Sequence, residues 1–341
     1  MVLVQTQLSH ENEDPALCEN TEVKMSVSNV PPLKEDLNTM NTGSVRSTGD
    51  MTDSTASLSD DEQQTALATA KANLKALLAK HDRSAKHPEV EKAIEELSAL
   101  NPTKDAAMSP FLEGSFVSLT RPEFPGRLKQ EPGKEHLDQY TLGRMSFNIF
   151  QPGKLVCTVN STQNDLILAP AKQEESDKEN QNNDSSDGES RTYTYPLSTN
   201  IIIHTEKGDF PACLRMEALC SSDKQPKNRL GVTFVGGTLM PGEKVRSDPI
   251  QLDQWKEVFG GAYEKAEAER SYISSFMQYL FKWMFQLSTP TDEQALASES
   301  CSVSFEMKRC PHGYLDVMYL DEDLRITRGN RGTVVIVERK K

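Results

Sequence analysis

Arg325, Arg328 and Arg331 crowd one stretch near the end of the sequence, and Asp316, Asp321, Glu322 and Asp323 lie just ahead of them. Two chemistries would use such a set: anion binding by guanidinium groups, or acid–base work by paired carboxylates. A glycosidase pair needs a defined carboxyl separation, and a turn built of acids is normally solvated. The plainer reading is therefore a solvated turn beside a solvated basic rim.

Other candidate chemistry thins out on inspection. There is no Gly-x-Ser-x-Gly elbow for a serine esterase. His136 and His204 are the central histidines, and each reads as a loop or strand residue before it reads as a general base. Gly237 to Lys244 approaches a phosphate loop in its glycine spacing, but Glu243 stands where a lysine must reach the phosphates. Cys310-Pro311-His312 offers two metal ligands where zinc takes three or four. The six cysteines form no Cys-x-x-Cys pair, so free thiols in a reducing compartment are expected, with no metal and no cofactor.

Composition narrows the class. A formal net charge of -13 argues against a general nucleic-acid binder, which needs a concentrated Lys/Arg surface. Hydrophobic residues make up 36% of the 341, and mean hydropathy is -0.58, which fits one folded domain with solvated attachments. The first residues show neither a secretory leader nor an acid-poor transit peptide, so a cytoplasmic location is expected if the N-terminus is complete.

The elements that must position any site divide three ways. Residues 1–58, rich in Ser, Thr, Asn and Asp without a sustained period, read as a disordered tail. Residues 59–101 read as a helical hairpin: Ser59-Asp60-Asp61-Glu62 starts one helix, Pro88 starts the next, and Asn101-Pro102 stops it. Its narrow apolar stripe suits packing outside a sheet or across a barrel mouth. From 102 to 341 the period shifts toward two, with strands expected at 114–120, 140–150, 154–160, 193–205, 209–218, 229–235 and 302–308, then three more in a closing meander. Some ten strands without helical crossovers predict a mainly β fold, an antiparallel β-barrel preceded by the hairpin. Its interior either holds one small apolar ligand or is filled by side chains.

Two insertions interrupt the strands. Residues 170–192 are acidic and low in complexity, a solvated loop. Residues 251–287 contain an amphipathic helix whose second half, from Tyr272, carries aromatics almost all round. It is too short and too interrupted to span a bilayer, which takes about 20 apolar residues. Either it covers the barrel as a core helix, or it lies in a lipid interface with Phe276, Leu280, Trp283 and Leu287 as the contacting face.

Tyr319-Leu-Asp-Glu-Asp-Leu-Arg-Ile-Thr-Arg-Gly-Asn-Arg-Gly332, running into the apolar stretch from Thr333 to Val337, resembles the C-terminal signature of the plastid lipid-associated protein family, the plant fibrillins of lipid globules. An upstream stretch resembles that family's opening: Leu74 to Leu78, Ala93, Ile94, Leu97 and Leu100, then Asn101-Pro102-Thr103 and Leu112-Glu-Gly-Ser-Phe116. Phe116 departs from the tryptophan usual there. The resemblance brackets roughly residues 67 to 338 and implies a calycin or lipocalin-like barrel in a non-enzymatic protein that binds lipids or fatty acids and associates with lipid particles or membrane surfaces in the plastids of photosynthetic organisms. It implies an interior site lined by aromatics, for which Phe116, Phe147, Phe234 and Tyr319 are the candidates. It also implies closure of one barrel end by Phe116 stacked with Arg325 or Arg328. Two other readings stand beside it: an enzyme acting on a small hydrophobic substrate, with the Asp321 to Arg325 turn at the barrel mouth, and a scaffold whose acidic tails recruit partners.

Overall fold

The computed structural model describes residues 60–130, 132–169, 191–222, 226–268, 283–288, 290–293 and 301–341. The expected tail at 1–58, nearly all of the loop at 170–192, and Phe276 and Leu280 of the aromatic segment lie outside the described residues.

The first elements are helices α1 (Asp60–Lys80) and α2 (Pro88–Ala99). Pro88 sits in the first turn of α2, and the His87 side chain caps it by accepting from the Glu89 amide. Then come β1 (Gly114–Ser118), β2 (Asp138–Thr141), the single-turn α3 (Leu142–Met145), and β3 (Val156–Leu168). The long strands β4 (Thr192–Thr205), β5 (Gly208–Ser222) and β6 (Arg229–Pro241) follow. Three short helices, α4 (Glu243–Ser247), α5 (Pro249–Phe259) and α6 (Ala262–Ala268), precede β7 (Leu287–Ser288) and β8 (Val303–Met307), and β9 (His312–Leu320), β10 (Leu324–Gly329) and β11 (Val334–Arg339) close the sheet.

All pairings are antiparallel, and eight strands form a closed circuit in the order β5, β4, β3, β1, β11, β10, β9, β6 and back to β5. Closure removes the unpaired edges that invite aggregation. β2 pairs with β3 outside the circuit, while β8 and then β7 continue from the far half of β6. That junction depends on Gly236, where a Cβ would stand 2.5 Å from the Phe305 carbonyl oxygen.

Alternation sorts the strand residues between two cores. The inward set, with Leu197, Leu214, Met216, Val232 and Val317 among its members, fills the barrel. The outward faces of β9, β10 and β11 offer Tyr319, Leu324, Ile326 and Ile336 to Leu74, Leu78, Val90, Ile94 and Leu97 of the hairpin. Each fully buried Leu or Ile contributes about 1.5–3 kcal/mol, so this outer cluster is ample to hold α1 and α2 against the barrel wall. The Asn101-Pro102-Thr103 segment fastens the hairpin to the end of β9: Asn101 Oδ1 accepts from the Leu320 amide at 3.1 Å, and Thr103 Oγ1 donates to the Leu320 carbonyl at 2.7 Å.

Two expected elements differ. The strand expected at 140–150 ends at Thr141, whose side chain caps α3, and Phe147 and Asn148 then take left-handed φ values of 54° and 56°. The helix expected up to Leu287 does not reach it, because Leu287 is in β7 paired with Met307. The helical insertion itself is broken at Gly260-Gly261 into α5 and α6, and Asp248 caps α5 by accepting from the Ile250 and Gln251 amides. Among the described residues no helix is long and apolar enough to cross a membrane.

Candidate functional site

Side chains fill most of the barrel interior, but a hollow remains beside the β10–β11 turn. This hollow is a cavity of 120 Å³ whose wall includes Tyr195, Leu197, Val232, Phe234, Leu315 and Thr327. Its mouth is framed by the segment from Thr120 to Phe124 and by the β10–β11 turn from Gly329 to Thr333. Such a volume is close to the roughly 150 Å³ engineered cavity that accepts benzene, and below the ~300–1,000 Å³ of sites that enclose a whole drug-sized ligand. It encloses a ring or a short stretch of acyl chain; anything longer projects through the mouth.

Beneath the cavity the interior is closed by a layered stack. Phe116 points inward from β1 and is fully buried. The Arg325 guanidinium lies 4.3 Å from the Phe116 ring centroid, and that of Arg339 lies 4.5 Å from it. Arg339 is spoken for: it donates to the carbonyls of Glu322, Glu113 and Phe111 at 2.5, 2.7 and 2.6 Å. Gly114 makes room for it, since a Cβ there would stand 2.1 Å from Arg339 Nη1, and its φ of +138° suits glycine.

Arg325 is in a different position. It is 2% exposed, and its Nε and Nη1 have no hydrogen-bond partner. Among the described residues no carboxylate lies within ion-pair distance of it. Burial pushes its pKa down, against the opposing influence of Tyr195, Cys220 and, more weakly, Asp165. A desolvated cation–π contact is worth about 2 kcal/mol. Burying an unpaired ion costs several kcal/mol, and each unmet buried donor adds about 1–3 kcal/mol. The stack alone leaves Arg325 under-compensated. Two further buried polar atoms without partners, Thr162 Oγ1 and Asn164 Oδ1, belong to residues in the cavity wall on β3.

The mouth is basic. Asp138 is buried and receives three guanidinium groups: Arg83, Arg121 at 3.4 Å and Arg127 at 3.2 Å. Arg121 and Arg331 line the opening, with Glu123 as the acid among them. The Tyr140 hydroxyl donates to the Pro122 carbonyl at 2.7 Å and so anchors the segment that frames the mouth.

Of the four aromatics expected in the barrel interior, Phe234 lines the cavity. Phe116 lies inside the barrel as part of the stack but is absent from the cavity wall. Phe147 is displaced because its segment leaves the sheet at Thr141; it packs, half-buried, against the core from the loop after α3. Tyr319 is outside the barrel, under the helical hairpin. The cause is a bulge: Ile326 pairs with Tyr319 but Thr327 pairs with Val317, so Met318 is the extra residue and inverts the facing of Tyr319 relative to Leu315 and Val317. Arg325 meets Phe116, whereas Arg328 is exposed on β10 and takes no part in the stack. Tyr195, Thr162 and Asn164 escaped the sequence reading; the alternation of β3 and β4 pointed them inward, but nothing in composition marked them out.

The acidic turn is less solvated than expected. Asp321 is buried, its Oδ1 accepting from the amides of Asp323 and Leu324 at 2.9 and 2.8 Å, while Oδ2 meets Lys71 and the Tyr319 hydroxyl. This turn lies at the opposite end of β10 from the cavity mouth. His204 binds Thr158 and Asp209, each at 2.8 Å, on the outer surface. His81, His87 and Glu89 bring their ligand atoms within 4.8 Å of one another on the hairpin, where Glu89 already receives Lys80 at 2.8 Å and His81 at 3.0 Å. Trp283 is 61% exposed in a short helical turn, with the Arg309 guanidinium 5.9 Å from its ring centroid, while Leu287 packs on the core.

Residues 265–338 match the PAP_fibrillin family model. The match covers the end of α6 and everything from β7 through nearly all of β11, less than a quarter of the chain. It contains the C-terminal meander signature but not the Leu112 to Phe116 motif. No curated protein and no solved structure matches the chain.

Proposed function

We propose that this protein binds lipids, taking the apolar part of a fatty acid or similar amphiphile into the barrel while the remainder projects through the mouth. The observation that carries the reading is the 120 Å³ cavity inside a closed barrel, walled by Leu197, Val232, Phe234 and Leu315. The PAP_fibrillin match is compatible with it, and with association with lipid particles in plastids. Carriage rather than catalysis is part of this reading: among the described residues the ionisable groups of the cavity wall are Arg121, Glu123, Tyr195 and Arg331, and burial pushes the Tyr195 phenol up to about 12.

The test is titration with a fluorescent fatty acid, followed by displacement with unlabelled acid. Saturable binding with one site per chain supports the reading. Absence of binding by a folded protein overturns it.

Exposure of Trp283 favours a second, compatible role for the surface. An exposed indole beside Arg309 suits the head-group level of a lipid interface, where Trp rings commonly sit. Co-sedimentation with liposomes tests it directly.

A further inference from the structure

We propose that Arg325 is the receptor for a carboxylate, so that an acyl ligand enters head first and lies with its acid at the cavity floor and its tail toward the mouth. The inference rests on the lipid-binding reading of the cavity and assigns the ligand's polarity and orientation within it.

The geometry supplies the argument. Arg325 and Thr327 are successive inward residues of β10, and Thr327 is in the cavity wall. Asn164, which pairs in register with Phe116, and Tyr195 on β4 also line the cavity. Arg325 is not itself in the cavity wall; it stands one inward position along β10 from Thr327, in the layer directly beneath the wall residues. Its unmet Nε and Nη1 donors require acceptors, and a carboxylate offers two oxygens, each able to accept twice. Thr162 Oγ1 gives the same head group a hydroxyl partner in the wall.

Charge makes the same selection. Arg339 lies on Phe116 as well and is bonded to neutral carbonyls, so two cations share the stack without an acid between them. A neutral alcohol or ester would leave that charge unbalanced. A phosphate dianion would have to shed far more hydration to pass a narrow apolar cavity. A monoanionic carboxylate satisfies the donors at the smaller desolvation cost.

Stacking on Phe116 fixes the guanidinium plane in advance, so little side-chain freedom is lost when the anion arrives. Arg331, exposed at the mouth, serves as an entry attraction rather than a destination, while Arg121 is already paired with Asp82 and Asp138.

Calorimetry of decanoate, decanol and methyl decanoate against the full chain at neutral pH tests the inference. The expected result is decanoate binding at least tenfold more tightly than either neutral analogue, with Arg325→Gln abolishing that preference while still binding decanol, and Arg325→Lys retaining part of it. Equal affinity for acid and alcohol in the unmodified protein overturns the head-first carboxylate, even if Arg325→Gln fails to fold, and leaves the lipid-binding reading intact. Acid preference that survives in folded Arg325→Gln overturns it too, by placing the head at the mouth. Binding of none of the three overturns the lipid-binding reading and this inference with it.

Discussion

Lys71 Nζ on α1 donates to Asp321 Oδ2 in the β9–β10 turn at 2.7 Å, joining side chains 250 positions apart in sequence. The same carboxylate takes the Tyr319 hydroxyl and two backbone amides. Helical hairpin and barrel meet at this acid, as they do again where Lys75 pairs with Glu338. The bulge at Met318 that turns Tyr319 outward puts its hydroxyl on the same side as this carboxylate.

Asp321 therefore contributes acid-sensitive stability. Burial acts to raise its pKa, but the bonds from Lys71, Tyr319, Leu324 and Asp323 outweigh that and hold it below the ordinary aspartate value. A carboxyl depressed in the folded state stabilises above its unfolded pKa, about 4, and loses that contribution as pH falls through the folded value. Denaturant melts of Asp321→Asn should show a loss of about 1–3 kcal/mol at pH 7 that shrinks toward zero under acid conditions. A loss independent of pH would show that the charge is immaterial.

Gly114→Ala tests the stack from the side. The new Cβ would strike the Arg339 guanidinium, and the residue would be held at positive φ. Together these predict destabilisation of about 1–3 kcal/mol. Emission from Trp255, buried against Phe259 inside the core, reports the unfolding.

Filling the cavity should separate binding from stability. Val232 is buried in the cavity wall, and Val232→Phe adds atoms where there is empty space. Probe affinity should fall at least tenfold, about 1.4 kcal/mol, while the melting temperature holds or rises. A drop in stability with affinity unchanged would mean that the ligand lies elsewhere.

Trp283→Ser addresses the surface role. With the indole largely exposed, the change should cost no more than about 0.5 kcal/mol of stability. Liposome co-sedimentation should weaken by severalfold if the indole inserts, and undiminished sedimentation would assign lipid contact to another surface.

The barrel was legible because its strands alternate: β4 and β5 each run unbroken with inward residues at every second position over much of their length, and no helix fits that period. The hairpin was legible from Pro88, Asn101-Pro102 and the apolar spacing of α2. Site residues were harder, since facing depends on parity and one extra residue inverts it. Tyr319 continues the alternation of Leu315 and Val317 in sequence, yet the bulge at Met318 puts it on the other face. Phe147 looked like strand because apolar residues surround it, but the Thr141 cap and two left-handed residues turn the chain away. The solitude of Arg325 was invisible beforehand, because a missing partner is a property of three-dimensional neighbours and not of spacing.

Mass spectrometry of lipids extracted from the purified, folded full chain bears most directly on the central claim that the barrel carries an amphiphile. The account predicts a defined acyl or small hydrophobic species at near-stoichiometric amount, depleted in Val232→Phe. Recovery of no lipid, or of the same mixture in equal amount from Val232→Phe, would contradict it.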